Sequence, residues 1–130
     1  MSISNKAKHK SQRRINRHRR VRARIFGVAS MPRLCVFRSN RHIFVQLIDD
    51  KAGKTLAACD DLKISDAGKK ETKSGELSGK CAAAFGVGRA IALKAKELKI
   101  DRAIFDRGGY RYHGRVKNVA EGARQGGLQF

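Results

Sequence analysis

The sequence predicts an α/β domain of element order β-β-β-α-β-α, preceded by a basic arm. Three observations carry this reading: strand-like apolar runs between Arg33 and Cys59, a three- and four-residue recurrence of small and apolar residues from Leu77 to Lys99, and an N-terminal stretch rich in cations without an apolar pattern. At 130 residues the chain has room for one such domain, placed at residues 31–130 behind an arm at residues 1–30.

From Met1 to Arg24 the arm holds ten cations: Lys6, Lys8, Lys10, Arg13, Arg14, Arg17, Arg19, Arg20, Arg22 and Arg24. It has too little apolar surface to offset chain entropy, so alone in water it is expected to be disordered. Neither Gly nor Pro interrupts Asn5 to Ile25, so the arm can become helical once phosphates neutralise the repulsion among its side chains.

After Pro32, Arg33 to Arg38 reads as a first strand and Ser39-Asn40 as a turn. His42 to Asp49 is a second strand, with Ile43, Val45 and Leu47 on one face and the mixed set His42, Phe44 and Gln46 on the other, open to a ligand. Lys54 to Cys59 completes an antiparallel meander, and Asp60 to Ser74 reads as a polar loop. The helix from Leu77 to Lys99 buries a stripe through Cys81, Ala84, Phe85, Gly88, Ile91, Ala92, Ala95 and Leu98. Ser74 or Ser78 would cap it, and Ala82, Ala83, Gly86 and Gly88 would let it approach a sheet closely. A fourth strand at Arg102 to Phe105 and a helix marked by Val116, Val119, Ala120 and Ala123, ending at Gly126-Gly127, close the chain.

The charge narrows the function. Thirty Lys+Arg stand against eleven Asp+Glu, a formal net charge of +19, and residues 1–48 contain no acid at all. Such an imbalance points to a polyanionic partner and away from an enzyme acting on a neutral small molecule. No apolar stretch approaches the roughly 20 residues that span a bilayer, so no membrane partner is expected. The N-terminus lacks both the apolar block of a secretory signal and the apolar face of a mitochondrial presequence, which leaves the cytosol as the expected location. Cys35, Cys59 and Cys81 are odd in number and widely spaced, as expected of reduced thiols and not of a disulfide framework or zinc site.

Catalytic and cofactor patterns fail on inspection. Gly75 to Cys81 imitates a phosphate-binding loop but is one residue short and has Cys where Ser or Thr would hold magnesium. Gly86-Val-Gly88 falls inside a helix and lacks the third glycine of a dinucleotide loop. Asp49, Asp50, Asp60, Asp61, Asp101 and Asp106 could serve a metal-dependent nuclease, yet the paired aspartates at strand ends read better as turns. His9, His18, His42 and His113 show no metal spacing, and no nucleophile elbow is visible. No catalytic residue, metal, cofactor or small-molecule substrate is expected.

The segment Phe105 to Val116 carries positive content. It sets Arg107, Arg111, Arg115, Tyr110, Tyr112 and His113 among Gly108, Gly109 and Gly114, directly after a strand and before a helix. RNA contact needs guanidinium groups for phosphates, flat rings for stacking or 2′-hydroxyls, and glycines where backbones approach. Arg38, Ser39, Asn40, Arg41 and His42 offer further phosphate donors at a hairpin tip. A braced β–α connection and a solvated turn are the plain structural alternatives. A small nuclease and a non-specific polycation that compacts DNA or coats membranes are the rival functional classes; the latter leaves the Arg/Tyr/His loop unexplained.

FDRGGYRYHGRV, continued by KNVAEGARQGGLQF to Phe130, resembles the ending of the bacterial large-subunit ribosomal protein family number eighteen. RLCVFRSNRHIFVQ from Arg33 to Gln46 is similar to that family's first hairpin, so the resemblance spans the chain, with Asp61 to Lys73 the undiagnostic part. It implies helices on a mixed sheet of ribonuclease-H-like topology without catalytic carboxylates. It further implies binding to 5S rRNA and its attachment to large-subunit rRNA in the central protuberance, beside another 5S-binding ribosomal protein. The RNA-contacting set would be Arg38 to His42 and Arg107 to His113 with Arg115. The arm, including Arg13, Arg14, Arg17, Arg19, Arg20, Arg22 and Arg24, carries over only as a basic segment.

Overall fold

The computed structural model describes residues 3–61 and 79–130. Its elements are α1 (Ile3–Arg22), β1 (Arg33–Arg38), β2 (Ile43–Asp49), β3 (Lys54–Asp60), α2 (Gly79–Glu97), β4 (Ile104–Asp106) and α3 (Arg115–Gln125). The expected loop from residue 62 onward, the expected caps Ser74 and Ser78, and Leu77 lie outside the described residues.

The meander forms as its alternation requires. β1 and β2 pair antiparallel from Arg33↔Ile48 to Arg38↔Ile43, and β2 pairs with β3 across a bulge at Leu47/Ile48. β4 runs parallel to β1, giving a mixed sheet of order β3-β2-β1-β4. That strand begins two residues later than the apolar pattern indicated, because Arg102 and Ala103 pair with Gln129 near the C-terminus while the Ile104 amide donates to the Pro32 carbonyl.

Leu34, Val36, Ile43, Val45 and Leu47 point from one sheet face into a core shared with Ala84, Val87 and Ile91 of α2 and Val116, Val119 and Ala123 of α3. The helices touch most intimately each other. A Cβ on Gly88 would collide with the Val119 carbonyl oxygen, and one on Gly122 with the Phe85 carbonyl oxygen. The small residue at Gly88, expected to let the helix approach the sheet, therefore lets α2 meet α3. At the end of α2 the Ile100 amide bonds to the Ala95 carbonyl at 2.8 Å and the Lys99 amide to Lys96 at 3.0 Å, with Lys99 at φ 60°. This is the helix stop that usually takes glycine.

On the opposite sheet face α1 is held by a network of charges. Arg33, 5% exposed, donates through Nε to Asp50 at 3.0 Å and through Nη1 to Asp106 at 2.7 Å. Asp50 also accepts from the Gly27 amide at 2.8 Å and from Arg22 of α1 at 3.4 Å. Asp106, fully buried, meets His18 Nε2 of α1 at 3.0 Å. His18 and Arg22 are one helical turn apart, so two carboxylates set the helix's position and rotation. Ile15 is left exposed and a cavity of about 120 Å³ remains beneath the helix, so apolar packing does not hold α1.

Both carboxyls sit below the ordinary carboxylate range. For Asp50 the Arg33 hydrogen bond does this, against burial and with help from the Gly27 amide. For Asp106 burial pushes upward, but the bonds from His18, the Gly108 amide and Arg33 outweigh it. Their stabilisation is therefore complete above the unfolded carboxylate value of about 4 and is lost as pH falls through the lower folded values.

The urea midpoint of the wild type falls on acidification below pH 4, and Asp106→Asn, by removing one of the two carboxylates that compensate buried Arg33 and the one that holds His18, costs about 3 kcal/mol at neutral pH and weakens that acid dependence. Gly122→Ala costs about 3 kcal/mol by urea denaturation, at the upper end of overpacking, because backbone and not a flexible side chain must yield. Lys99→Gly raises stability by about 0.5–1 kcal/mol, since glycine meets no penalty at positive φ.

Candidate nucleic-acid interface

The Arg/Tyr/His loop begins where β4 ends. Asp106 Oδ1 accepts the Gly108 amide at 2.9 Å and turns the chain, with Gly108 and Gly109 at φ 67° and 79°. A Cβ on Gly109 would lie 2.6 Å from the Arg14 carbonyl oxygen, and one on Gly108 would strike the Val36 carbonyl oxygen. Both glycines are buried. Here the glycines admit the backbones of α1 and β1.

Tyr110 ties three segments together. Its hydroxyl donates to the Arg38 carbonyl at 2.9 Å and accepts from Arg14 Nη1 at 2.6 Å and the Arg38 amide at 3.3 Å. The Arg14 and Arg38 guanidinium carbons lie 5.0 and 5.2 Å from its ring centre. Tyr112 is 40% exposed, set edge-on to Phe105 with centroids 6.1 Å apart, and its hydroxyl accepts from Arg124 Nη1 at 3.1 Å. Phe105 in turn stacks on Phe130 at 5.2 Å, which packs the C-terminus against the loop. Both tyrosines brace the loop in this structure.

Several expected contact residues converge. Arg17 from α1, Arg38 from β1, and Tyr110, Arg111, His113 and Gly114 from the loop line one concavity of about 340 Å³. Arg17 Nε donates to the Gly109 carbonyl at 3.1 Å, which fixes its guanidinium at the rim. None of the lining residues is acidic. Burial, and then the like charge of Arg38, holds Arg115 below the usual arginine value. The protein has collected cations here against their mutual repulsion.

The remaining expected residues lie elsewhere. Ser39, Asn40, Arg41 and His42 are exposed at the hairpin tip, closed by the Ser39 amide donating to the His42 carbonyl at 2.9 Å and the His42 amide donating to Ser39 Oγ at 3.0 Å. Lys80 Nζ donates to the Asn40 carbonyl at 2.7 Å, and His42 Nδ1 faces Asp61 at 3.3 Å. Arg13, Arg19, Arg20 and Arg24 are exposed, Arg22 is engaged with Asp50, and Arg107 is exposed next to Gly108.

Sequence reading passed over Arg33, Asp50 and Asp106 as the groups that assemble this face, since their partners are remote in the chain. It likewise saw no metal spacing among His, Cys and Asp, yet His18, Cys35 and Asp106 place ligand-type atoms within 4.8 Å of one another. The Asp106 oxygens are already taken by Arg33, His18 and the Gly108 amide, and a guanidinium stands where a cation would enter, so the cluster fits an ion-pair network. Burial and the nearby Asp106 charge raise the Cys35 thiol, away from the thiolate a metal would need. Cys59 is buried and Cys35 and Cys81 half-buried, none of the three in a disulfide.

The sequence pattern of the family described as ribosomal L18 of archaea, bacteria, mitochondria and chloroplasts matches residues 8–130. The large ribosomal subunit protein uL18 of Thermotoga neapolitana is 48% identical over 125 residues, covering 96% of this chain and 98% of that protein. The uL18c protein of Cyanophora paradoxa is 52% identical over 116 residues, 88% of this chain and 91% of its own length. The uL18 protein of Caldicellulosiruptor saccharolyticus is 46% identical over 123 residues, 94% of each chain. With a family match over nearly the whole length and relatives this similar, the chain belongs to the ribosomal L18 family, structural and non-enzymatic components of the large ribosomal subunit.

Proposed function

We propose that this chain binds 5S rRNA and helps attach it to the large-subunit rRNA in the central protuberance, beside a second 5S-binding ribosomal protein. The observation that carries the reading is the acid-free cationic concavity formed by α1, β1 and the β4–α3 loop. Each of its cations is displayed by a braced backbone, which favours a folded RNA of fixed shape over an arbitrary polyanion. The strand order β3-β2-β1-β4, with β4 parallel to β1, supports a ribonuclease-H-like topology; buried Asp106 and half-buried Asp50 of that face are both engaged with Arg33. In this reading the contact surface comprises the hairpin tip from Arg38 to His42, the loop from Arg107 to His113 with Arg115, and the outward cations of the basic N-terminal arm.

Binding to purified 5S rRNA, measured beside duplex DNA of equal length and an unrelated folded RNA, tests it. The expected result is at least a tenfold preference for 5S rRNA. With roughly 6–10 phosphates contacted, affinity falls about 10³–10⁵-fold between 50 and 200 mM salt. Arg115→Gln reduces the preference. Equal affinity for all three nucleic acids would identify a non-specific polycation instead.

A further inference from the structure

We infer that Arg17, Arg38, Arg111 and His113 form a single seat for one backbone phosphodiester of the bound RNA, with the N-terminal helix supplying one wall. This rests on the RNA-binding reading above and deepens it. A basic arm read from sequence alone supplies diffuse, salt-sensitive attraction. The geometry assigns Arg17 a more specific part.

Four features support a built site. First, the lining converges from three separate elements on one concavity of about 340 Å³, roomy enough for a phosphate together with its flanking sugar. Second, each wall is fixed before any ligand arrives: Arg17 by the Gly109 carbonyl at 3.1 Å, the Arg38 backbone by two bonds to the Tyr110 hydroxyl at 2.9 and 3.3 Å, and Tyr110 itself by Arg14 at 2.6 Å. Third, those anchors are neutral carbonyls and a phenol, so the guanidinium charges stay unneutralised; among the described residues none of Arg17, Arg38, Arg111 and His113 is ion-paired. Fourth, the neighbouring Arg115 is held below the usual arginine value, first by burial and then by the like charge of Arg38, so cations are crowded beside this concavity.

The docking network makes Arg17 dependable in this role. Its neighbour His18 is held by Asp106, and the Arg14 carbonyl lies against Gly109 with no room for a side chain between them. The helix can therefore neither slide nor rotate without breaking a buried contact. An arginine presented from such a register is a positioned donor, and phosphate is the oxyanion that planar guanidinium groups recognise best in RNA.

Phosphate-ethylation interference on 5S rRNA tests the seat in the full-length chain. Wild type, Arg17→Gln, Arg111→Gln, the double variant and the control Lys51→Gln, an exposed cation in the β2–β3 turn outside the proposed contact surface, are compared, with circular dichroism confirming unchanged helix content. The expected result is one phosphate whose ethylation blocks binding of the wild type and of Lys51→Gln but makes no difference to either Arg17→Gln or Arg111→Gln. Each seat variant loses about tenfold in affinity, and the double variant loses less than the product of the two. Different phosphates relieved by the two variants, additive losses, or an Arg17→Gln indistinguishable from Lys51→Gln would overturn the shared seat while leaving selective 5S rRNA binding intact. A wild type without 5S preference would overturn the functional reading itself, and the seat with it. Displacement of the RNA by inorganic phosphate at matched ionic strength would assign the seat to free phosphate and overturn it as an RNA contact.

Discussion

The buried guanidinium of Arg33 is the constraint on which the arrangement of the cationic face depends. It stands at the first position of β1, with Asp50 from the β2–β3 turn on its Nε and Asp106 from the end of β4 on its Nη1. A charge this far from water persists only with full compensation, and here two carboxylates share it. Each carboxylate then has lone pairs to spare. Asp50 uses them on the Gly27 amide and Arg22, and Asp106 on the Gly108 amide and His18. One ion network thereby fixes the chain entering β1, the start of the β4–α3 loop and the rotation of α1.

The same network explains how so cationic a protein keeps this concavity free of acids. Repulsion among clustered arginines would open the loop if nothing opposed it, and carboxylates placed among them would compete with an incoming anion. Asp50 and Asp106 act from below the surface instead, on Arg22, Arg33 and His18. The outward cations Arg17, Arg38 and Arg111 are held by backbone carbonyls, a phenol hydroxyl or the fold itself. Attraction within the domain and attraction for a polyanion are carried by different groups.

How much of this the sequence displays depends on the range of the interaction. β1 to β3 and both domain helices are readable because alternation and three-to-four spacing are local consequences of a one-sided core. β4 is harder: at three residues it has too few positions for a pattern, and its start is decided by Gln129 pairing with Arg102 and Ala103. The docking of α1 has no local signature at all. Its contacts join His18 to Asp106 and Arg14 to Tyr110, and they are polar, so no apolar stripe announces them. The loop composition marks the candidate segment, but it leaves the roles within that segment open where one residue type serves two purposes. Tyrosine can stack on a base or brace a loop, and glycine can admit a ligand's backbone or the protein's own.

That distinction bears on how the face would meet RNA. A flexible arm and loop lose conformational entropy on binding, about 1–2 kcal/mol for each residue ordered, and this sets a penalty on specific recognition. Tyr110 removes part of it beforehand, because one side chain joins α1, β1 and the loop through three hydrogen bonds and two guanidinium contacts. Gly109 serves the same end from the other direction, since only a residue without a side chain lets the Arg14 carbonyl come so near. The tyrosine and the glycine, although among the most RNA-like residues of the segment, act mainly by holding the arginines in place, and the arginines supply the charge.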